Sequence, residues 1–288
     1  MRFPVPVALA QAVPRLPAGE GWYFEPKYDG DRQVLWKTPE GVRLQSRSGR
    51  DVTAWWPDLV AAAAHLPNGV VLDGETVVWL AGRLDFGAVR SRASSSPARA
   101  AALARSLPAA YAAWDCLAHP AHGDIRGWAY TRRRALLLEV LGPRGRPPIQ
   151  PVPATDDRAV AVAWMEQLTS LGVEGVVCKR AASTYRSGRI WTKVRHADTV
   201  DAELIGITGT VTRPGAAVVR LPDGRVAVSQ ALPGWLAAQV GLRVRGAEAG
   251  GAAAPDGRRY TAVMPGLPVE VLAGTTRHPV VTVTRLRI

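Results

Sequence analysis

The feature that most constrains this chain is a change in sequence pattern near residue 200. Before it, strand-like runs rich in Val, Trp and Leu alternate with helical patterns, which is typical of a mixed α+β domain. After it, short Val/Ile/Thr-rich runs follow one another, with turn signals such as Asp223–Gly224 between them. The length of 288 residues suits two domains. We therefore predict one domain over residues 1–199 and a second over 200–288, with a hinge in 196–200.

The first part is expected to contain five strands and four helices. The strands are predicted at Arg32–Lys37, Val42–Arg47, Val70–Trp79, Tyr111–Leu117 and Val173–Lys179. The helices are predicted at Ala54–Leu66, Pro97–Leu107, Thr131–Leu141 and a segment capped by Thr155 that ends at Gly172. The proline-rich segment 142–153 is expected to be a surface connection.

The second part contains about five short strand patterns and one helix at Gly234–Gly241. This combination is typical of a small closed β-barrel, and the oligonucleotide-binding (OB) barrel is the first candidate. A small β-sandwich or an SH3-like barrel fits the same pattern equally well.

Charge gives the first indication of function. The chain carries 36 Lys and Arg against 24 Asp and Glu, a net charge of +12. Such an excess is expected of a nucleic-acid-binding protein, although a solvated basic surface without a polyanionic partner gives the same number. No apolar run approaches the ~18 residues of a membrane span, and prolines 4, 6 and 14 interrupt the only signal-like stretch. We expect a cytoplasmic protein without membrane contact.

The basic residues are very unequally divided between lysine and arginine. Only four of the 36 are lysines, at positions 27, 37, 179 and 193, which leaves 32 arginines. In a chain that uses Arg so strongly, a retained Lys indicates a position that needs chemistry Arg cannot perform. A lysine amine can lose its proton and act as a nucleophile, whereas a guanidinium stays protonated.

Lys27 lies in a segment suited to such chemistry. The sequence Glu25-Pro26-Lys27-Tyr28-Asp29-Gly30-Asp31-Arg32 stands just before a predicted strand, and Gly30 permits a close backbone approach. An ordinary exposed lysine beside an Asp-Gly turn is the alternative. The segment resembles the nucleotide-attachment motif of the covalent nucleotidyltransferases, which comprise ATP-dependent DNA ligases, RNA ligases and mRNA capping enzymes.

Five further segments resemble the other motifs of that superfamily, in the same order along the chain. They are Ser46–Gly49, Leu72–Glu75, Ala113–Leu117, Glu174–Lys179 and Trp191–Arg195. Three of the four lysines fall on motif positions, and we interpret Lys37 as a surface residue. The resemblance is closest to the small bacterial accessory DNA ligases. It implies an α+β nucleotidyltransferase (adenylation) domain of antiparallel sheets flanked by helices, followed by an OB-fold barrel.

The resemblance also implies roles for individual residues. Lys27 would attack the α-phosphorus of ATP and hold AMP, with Glu25 beside the adenine and Trp114 stacked on it. Arg32 and Glu75 would hold the ribose, Lys179 and Lys193 the α-phosphate, and Arg47 the 5′-phosphate of a nick. Trp114 as a core residue, and Glu75 and Glu174 as ordinary turn acids, are the structural alternatives.

The expected cofactors are ATP and Mg²⁺, for which Mn²⁺ could substitute. Glu75 and Glu174 would lie near the metal, because oxygen ligands without a Cys/His cluster suit Mg²⁺. Cys116 and Cys178 lie in apolar runs and do not form a set of metal ligands. Asp29, within the attachment motif, is a more tentative site residue.

Two segments depart from the pattern of the superfamily. Arg195 stands where a second lysine is usual, and with Arg186 and Arg189 it could be a plain phosphate contact. The C-terminus has Arg285 and Arg287 but lacks the acid of the usual Arg-x-Asp-Lys motif, which orients pyrophosphate. Either arginine could take that part.

The resemblance implies a monomeric ATP-dependent DNA ligase that seals 5′-phosphate/3′-hydroxyl nicks in double-stranded DNA through a lysyl-AMP intermediate. A part in DNA repair, with unidentified repair proteins, is expected. An RNA ligase or a GTP-using capping enzyme is the alternative among enzymes. A non-catalytic nucleic-acid-binding relative is the alternative outside them, and the retained lysines count against it.

Overall fold

The computed structural model describes residues 1–142, 146–195, 199–272 and 281–287. The chain divides into two compact units, Met1–His196 and Ala197–Ile288. Most of the hinge expected in 196–200 lies outside the described residues.

The first unit contains two sheets and their flanking helices. Its strands are β1 (Ala8–Ala12), β2 (Trp22–Pro26), β3 (Asp31–Thr38), β4 (Gly41–Ser46), β5 (Val71–Leu80), β6 (Arg83–Leu84), β7 (Ala109–His119), β8 (Gly123–Asp124), β9 (Ile149–Pro151), β10 (Gly175–Arg180) and β11 (Gly188–Arg195). Its helices are α1 (Pro57–Ala63), α2 (Phe86–Ala93), α3 (Pro97–Leu103), α4 (Tyr130–Leu141) and α5 (Arg158–Gln167). Single 3₁₀ turns occur at Thr53–Trp55 and Thr169–Leu171.

The two sheets are mostly antiparallel. The first has the order β1-β11-β10-β2, and the second has the order β4-β3-β5-β7-β8, with β6 beside β5 and β9 beside β7. The exceptions are β1 on β11 and β9 on β7, which pair in parallel. The mixed α and β architecture with antiparallel sheets is therefore confirmed, with two parallel pairings added.

Apolar side chains hold the sheets together and anchor the helices. Residues of both sheets, including Ala8, Val34, Leu117 and Trp191, form one buried cluster between them. The outer face of the second sheet packs on α1, α2 and α4, and the outer face of the first packs on α5. Buried apolar area of this kind stabilises by about 25 cal/mol per Å². The helices thus cover the outer faces, and the space between the sheets holds this apolar cluster together with polar side chains such as Asp73 and Lys179.

The five predicted strands correspond to β3, β4, β5, β7 and β10. The helix predicted at Ala54–Leu66 is shorter, because Pro57 occupies the first helical position of α1 and the residues before it form a 3₁₀ turn. The cap of α5 was assigned to the wrong residue. Asp157, not Thr155, accepts the N–H of Ala159 at 2.7 Å. Strands β1, β2, β6, β8, β9 and β11 and helix α2 were not predicted. The segment 142–153, expected to be a surface connection, contains β9, whose Ile149 is buried.

The described residues of the second unit, 199–272 and 281–287, form a single sheet with one helix. Its elements are β12 (Thr199–Thr210), β13 (Arg213–Arg220), β14 (Val226–Ala231), α6 (Gly234–Val244), β15 (Glu248–Ala253), β16 (Arg259–Leu272) and β17 (Thr282–Leu286). The order is β14-β13-β12-β16-β15, with β17 also on β16. A parallel bridge between Ser229 and Val281 brings the β14 edge to the segment that enters β17. Leu236, Val240 and Val244 of α6 pack into the core of this sheet.

Candidate active site

Strand pairing aligns three motif segments on one face of the first sheet. Val177 of β10 pairs with Glu25 of β2 on one side and with Lys193 of β11 on the other. Residues paired across a sheet point to the same face. Glu25 and Lys193 therefore flank Val177 in one row, although they lie far apart in the sequence.

Lys27 lies in the next row, at the point where β2 ends. Its backbone N–H donates to the carbonyl of Gly175 at 2.8 Å, and its carbonyl accepts the N–H of Glu174 at 2.9 Å. The ammonium forms a hydrogen-bonded ion pair with the carboxylate of Glu174. The side chain of Lys27 remains 20% exposed. The backbone is thus fixed while the amine stays accessible to a reactant.

Cationic side chains gather around this amine. Burial and the charges of Arg195 and Lys27 hold the pKa of Lys193 below its usual value, and Arg47 adds to the effect while Glu174 opposes it. Arg195 approaches Glu174 with 4.0 Å between Nε and Oε2. Arg47 is exposed, in the turn that follows β4. The structure therefore brings Lys27, Arg47, Lys193 and Arg195 together, and such a group of cations is suited to a phosphate.

Glu75 faces Lys27 from the second sheet. Its Oε1 accepts the backbone N–H of Gly30 at 3.1 Å. Burial raises the pKa of Glu75 to about 8, with contributions from Asp29 and Asp31, against the charges of Lys27 and Arg32. Gly30 has to be glycine, because a Cβ there would lie 2.1 Å from the carbonyl oxygen of Thr76. Gly30 of the attachment motif thus permits the segment that enters β3 to lie close to β5, its neighbour in the second sheet.

Arg32 is held rigidly between the sheets. Its Nε and Nη2 donate to the two carboxylate oxygens of Asp73 at 3.0 and 2.5 Å, and Nη1 donates to the carbonyl of Ala8. The guanidinium carbon lies 5.3 Å from the ring centres of both Trp114 and Trp191. These contacts fix where the guanidinium of Arg32 lies.

Sequence analysis missed two residues of this network. Asp73 is fully buried and accepts the hydroxyl of Tyr185 at 2.8 Å in addition to the two bonds from Arg32. Tyr185 in turn accepts the N–H of Ala8 at 3.2 Å. A signal for Asp73 was present, because it stands two residues before Glu75 and side chains two apart in a strand share a face.

Lys179 lies deep in the site. Its Nζ is 2.8 Å from Glu25 Oε2 and donates to the carbonyl of Trp114 at 3.0 Å, and the side chain is fully buried. The resemblance placed Lys179 with Lys193 on one phosphate. Lys179 pairs with Tyr23 of β2, four residues before Lys27, and four strand residues span roughly 13 Å. The structure thus groups Lys179 with Glu25 rather than with Lys27.

Trp114 lies between the apolar cluster and the guanidinium of Arg32. It is partly buried against the apolar cluster between the sheets, and one ring face lies near the guanidinium of Arg32. The next residue, Asp115, is bonded through both oxygens to the buried Arg133, at 2.8 and 2.9 Å. Core packing and a role in stacking are therefore compatible at position 114.

The predicted metal residues come close to the same amine. Glu174 pairs with the Lys27 ammonium, and the Lys27 charge acts on Glu75. Within the described ranges, no three His, Cys, Asp or Glu side chains converge as a metal-binding cluster. Two carboxylates fit Mg²⁺, which usually takes few protein ligands and completes its shell with water and phosphate oxygens.

The terminal arginines belong to the second unit. Arg285 donates to Glu270 Oε2 at 2.8 Å through Nη2, and Arg287 lies 2.9 Å from the same oxygen. Arg287 also pairs with Asp201 at 2.9 Å. Hydrogen bonds from Arg285 and Thr284 lower the pKa of Glu270. Both arginines are thus partnered at the surface of their own unit.

The chain matches the family model described as ATP dependent DNA ligase domain over residues 8–195, which is more than half of its length. The chain belongs to this ligase-domain family. The matched residues include Lys27, Glu75, Glu174 and Lys193, whose side chains meet in the site. None of the described helices has the length and apolar character that a membrane crossing requires.

Named relatives of this ligase-domain chain are bacterial. DNA ligase C2 of Mycolicibacterium smegmatis is 37% identical over 205 residues, covering 70% of this chain and 57% of its own length. The multifunctional non-homologous end joining DNA repair protein LigD of Mycobacterium tuberculosis is 33% identical over 190 residues, covering 64% of this chain and 23% of its own. The crystal structure of the ligase domain of M. tuberculosis LigD superposes with a TM-score of 0.56 at 27% identity, covering 98% and 94% of the two chains. The chain thus spans little more than half the length of the first of these relatives.

Proposed function

We propose that this chain is an ATP-dependent DNA ligase that seals 5′-phosphate/3′-hydroxyl nicks through a lysyl-AMP intermediate. The observation that carries the proposal is the accessible amine of Lys27, paired with Glu174 and surrounded by Lys193, Arg195 and Arg47. A nucleophilic amine needs a way to lose its proton, and a transferring phosphoryl group needs cations around it. The family membership supports both parts.

The first step would join Lys27 to AMP. The Nζ–P bond forms while the bond between the α-phosphorus and pyrophosphate breaks, and the proton leaves Nζ for Glu174 or solvent. Neighbouring cations favour the neutral amine and the developing negative charge on phosphate. Mg²⁺, held by Glu75 and Glu174, would neutralise part of the charge of the triphosphate. AMP then passes to a 5′-phosphate held by Arg47, and the adjacent 3′-hydroxyl displaces it.

The nucleoside would occupy the space between the sheets. Glu25 and Trp114 are placed for the base, with Lys179 behind Glu25. Arg32 and Glu75 lie on the opposite sheet, where the resemblance expects the ribose. Asp73 keeps the guanidinium of Arg32 fixed, which lowers the entropy lost when a nucleotide binds.

We further propose an adenylation domain in residues 1–199 and an OB-fold domain in 200–288. Three features of the second unit support an OB barrel. Strands β12, β13 and β14 follow one another in the sheet, α6 comes directly after β14, and a parallel bridge joins β14 to the approach of β17. Arg285 and Arg287 are the candidates for orienting pyrophosphate in the first step, through release from Glu270.

The proposed substrate is nicked double-stranded DNA, which agrees with the net charge of +12. Repair is the proposed context, because the name of one relative refers to non-homologous end joining and DNA repair. The remaining parts of the proposal are a monomeric enzyme, a cytoplasmic location and repair proteins that are yet to be identified.

A direct test compares substrates. The chain should join a nicked DNA duplex with ATP and Mg²⁺, and it should join the matching nicked RNA much more slowly. Faster joining of RNA would favour an RNA ligase, and adduct formation with GTP alone would favour a capping enzyme. Binding of nicked DNA without any adduct would favour the non-catalytic relative.

A further inference from the structure

A buried tyrosine outside the six motif segments contacts the candidate base-binding residue. Tyr130 is the first residue of α4 and is fully buried. Its hydroxyl donates to Glu25 Oε1 at 2.5 Å. The two residues lie 105 positions apart in the sequence, so that only the fold brings them together.

Tyr130 and Lys179 contact different oxygens of the Glu25 carboxylate. Lys179 lies 2.8 Å from Oε2, while Tyr130 binds Oε1. A bond to one oxygen alone would leave the carboxylate free to rotate, whereas bonds to both oxygens fix its plane. Only 3% of the Glu25 side chain is exposed, and a small turn of the carboxylate would therefore change which lone pairs a ligand can reach.

The fixed carboxylate retains capacity for a ligand. An ionised carboxylate has about four acceptor positions, of which Tyr130 and Lys179 occupy two. A positioned carboxylate favours an N–H donor at the remaining positions and repels a carbonyl oxygen. The exocyclic amine of adenine is a donor of this kind.

The surroundings of Tyr130 keep its hydroxyl protonated, so that it remains a hydrogen-bond donor, and hold its side chain in place. Burial and the charge of Glu25 raise its pKa well above the usual value, which keeps the hydroxyl protonated. Its ring packs at 5.4 Å from that of Tyr23, and the ammonium of Lys179 lies 4.9 Å from the ring centre. The N–H of Thr131 donates to the carbonyl of Ala181 at 3.2 Å and ties the start of α4 to the chain after β10.

We propose that Tyr130 is a positioning residue that orients Glu25 toward the exocyclic amine of the nucleobase and so contributes to the selection of adenine. The proposal rests on the proposed function, in which Glu25 lies beside the base. It adds a residue that acts through Glu25 and does not touch the nucleotide.

The test compares ATP with purine riboside triphosphate, which lacks the exocyclic amine. Formation of the covalent nucleotide adduct is measured with the full chain for each of the two nucleotides. The quantity compared is the second-order rate constant of adduct formation. The wild type should prefer ATP roughly tenfold, because a hydrogen bond to a charged group contributes at least that factor. Tyr130→Phe should reduce the preference to about twofold by slowing the reaction of ATP and leaving that of the analogue nearly unchanged.

The matched control is Tyr111→Phe. Tyr111 is equally buried, but its hydroxyl donates to the carbonyls of Gln33 and Leu72, within the second sheet. This variant should lower the Tm and keep the wild-type preference for ATP. The double variant Glu25→Gln/Tyr130→Phe should discriminate no less than Glu25→Gln alone, since Tyr130 acts through Glu25.

Each remaining outcome counts against the inference. Equal losses with both nucleotides in Tyr130→Phe would assign the hydroxyl a purely structural role. A wild type that forms the adduct equally well from both nucleotides would mean that Glu25 does not contact the amine, while the proposed function would stand. A wild type that forms no adduct with either nucleotide would overturn the proposed function and this inference with it.

Discussion

The two units of this protein differ in how deeply they bury their charged residues. In the first unit, the ion pairs Arg32–Asp73, Arg92–Asp58, Arg133–Asp115 and Lys179–Glu25 each have at least one partner whose side chain is fully buried. In the second unit, Arg220–Glu203, Arg225–Asp223 and Arg258–Asp256 have both partners more than 40% exposed. The same residue types therefore meet very different surroundings.

The difference separates two tasks that charge can perform. A buried pair is desolvated, so that each partner is fixed by the other and can hold a third group in place. An exposed pair contributes little to stability and can exchange its partner for a phosphate. In the first unit charge positions the site, and in the second it is available at the surface.

Replacement of the proposed nucleophile should have the largest effect. Lys27→Arg keeps the positive charge but cannot supply a neutral amine, and the labelled AMP adduct should fall by roughly three orders of magnitude or more. Lys37→Arg is the matched control, because the Lys37 ammonium, near the end of β3, donates to Asn68 and to the carbonyl of Thr38, outside the candidate site. A normal adduct in Lys27→Arg would exclude Lys27 as the nucleophile.

Breaking one buried pair should destabilise the first unit strongly. Asp58 accepts two bonds from the fully buried Arg92 and one from the N–H of Ala109. Asp58→Asn should lower the free energy of unfolding by about 3–5 kcal/mol at pH 7, measured by urea titration. Asp223→Asn, in an exposed pair, should change it by about 0.5 kcal/mol or less. Similar losses in the two variants would contradict the contrast between the units.

The Asp58→Asn variant also makes it possible to measure how the contribution of Asp58 to stability depends on pH. Burial raises the pKa of Asp58, but the bonds from Arg92 and Ala109 outweigh it, and the pKa lies below the ordinary 3.8. A group with a lowered pKa in the folded state stabilises above its unfolded pKa and loses that contribution as the pH falls through the folded one. The difference between wild type and Asp58→Asn should therefore shrink toward acid pH. A difference that stays constant down to the lowest pH at which both fold would contradict this account.

Trp114→Ala should have an intermediate effect on activity. Stacking of a base on an aromatic ring contributes about 1–3 kcal/mol. The second-order rate constant for self-adenylation by ATP should fall by the factor that corresponds to this energy. Joining of DNA that already carries the adenylate should be affected less. Equal losses in both assays, together with a lowered Tm, would assign Trp114 to core packing.

The smallest effect is expected at the surface of the second unit. Arg285→Ala/Arg287→Ala should slow self-adenylation severalfold, by about 1 kcal/mol, because each arginine already has a carboxylate partner. Arg220→Ala/Arg258→Ala removes two other exposed, paired arginines and should leave that step unchanged. If the two double variants behave alike, the terminal arginines have no special part in the reaction.

Local sequence patterns predicted the strands in which apolar and polar side chains alternate and the strands that are continuously apolar. Val34, Leu35 and Trp36 made β3 evident, and the same holds for β5 and β7. Strands β2 and β11 were missed because their inward positions carry Glu25, Lys193 and Arg195, which break the apolar pattern. Two strands that carry site residues were therefore missed, whereas β3, β5, β7 and β10, which also carry site residues, were predicted.

The motif residues of the site were predictable, but most of their partners were not. Asp73, Tyr185 and Tyr130 act through contacts with residues 41 to 153 positions away, which no short motif encodes. The depth of Lys179 depends on the register of β10 on β2. Sequence patterns thus predicted the candidate reactive groups, and strand register determines how they are held.

The most direct test of the account is the position of the covalent adduct. The full chain is incubated with ATP and Mg²⁺, digested, and its peptides are analysed by mass spectrometry under conditions that preserve phosphoramidates. The account predicts AMP on the amine of Lys27 alone, with Lys179 and Lys193 unmodified. AMP on either of those lysines, or no adduct at all, would contradict it.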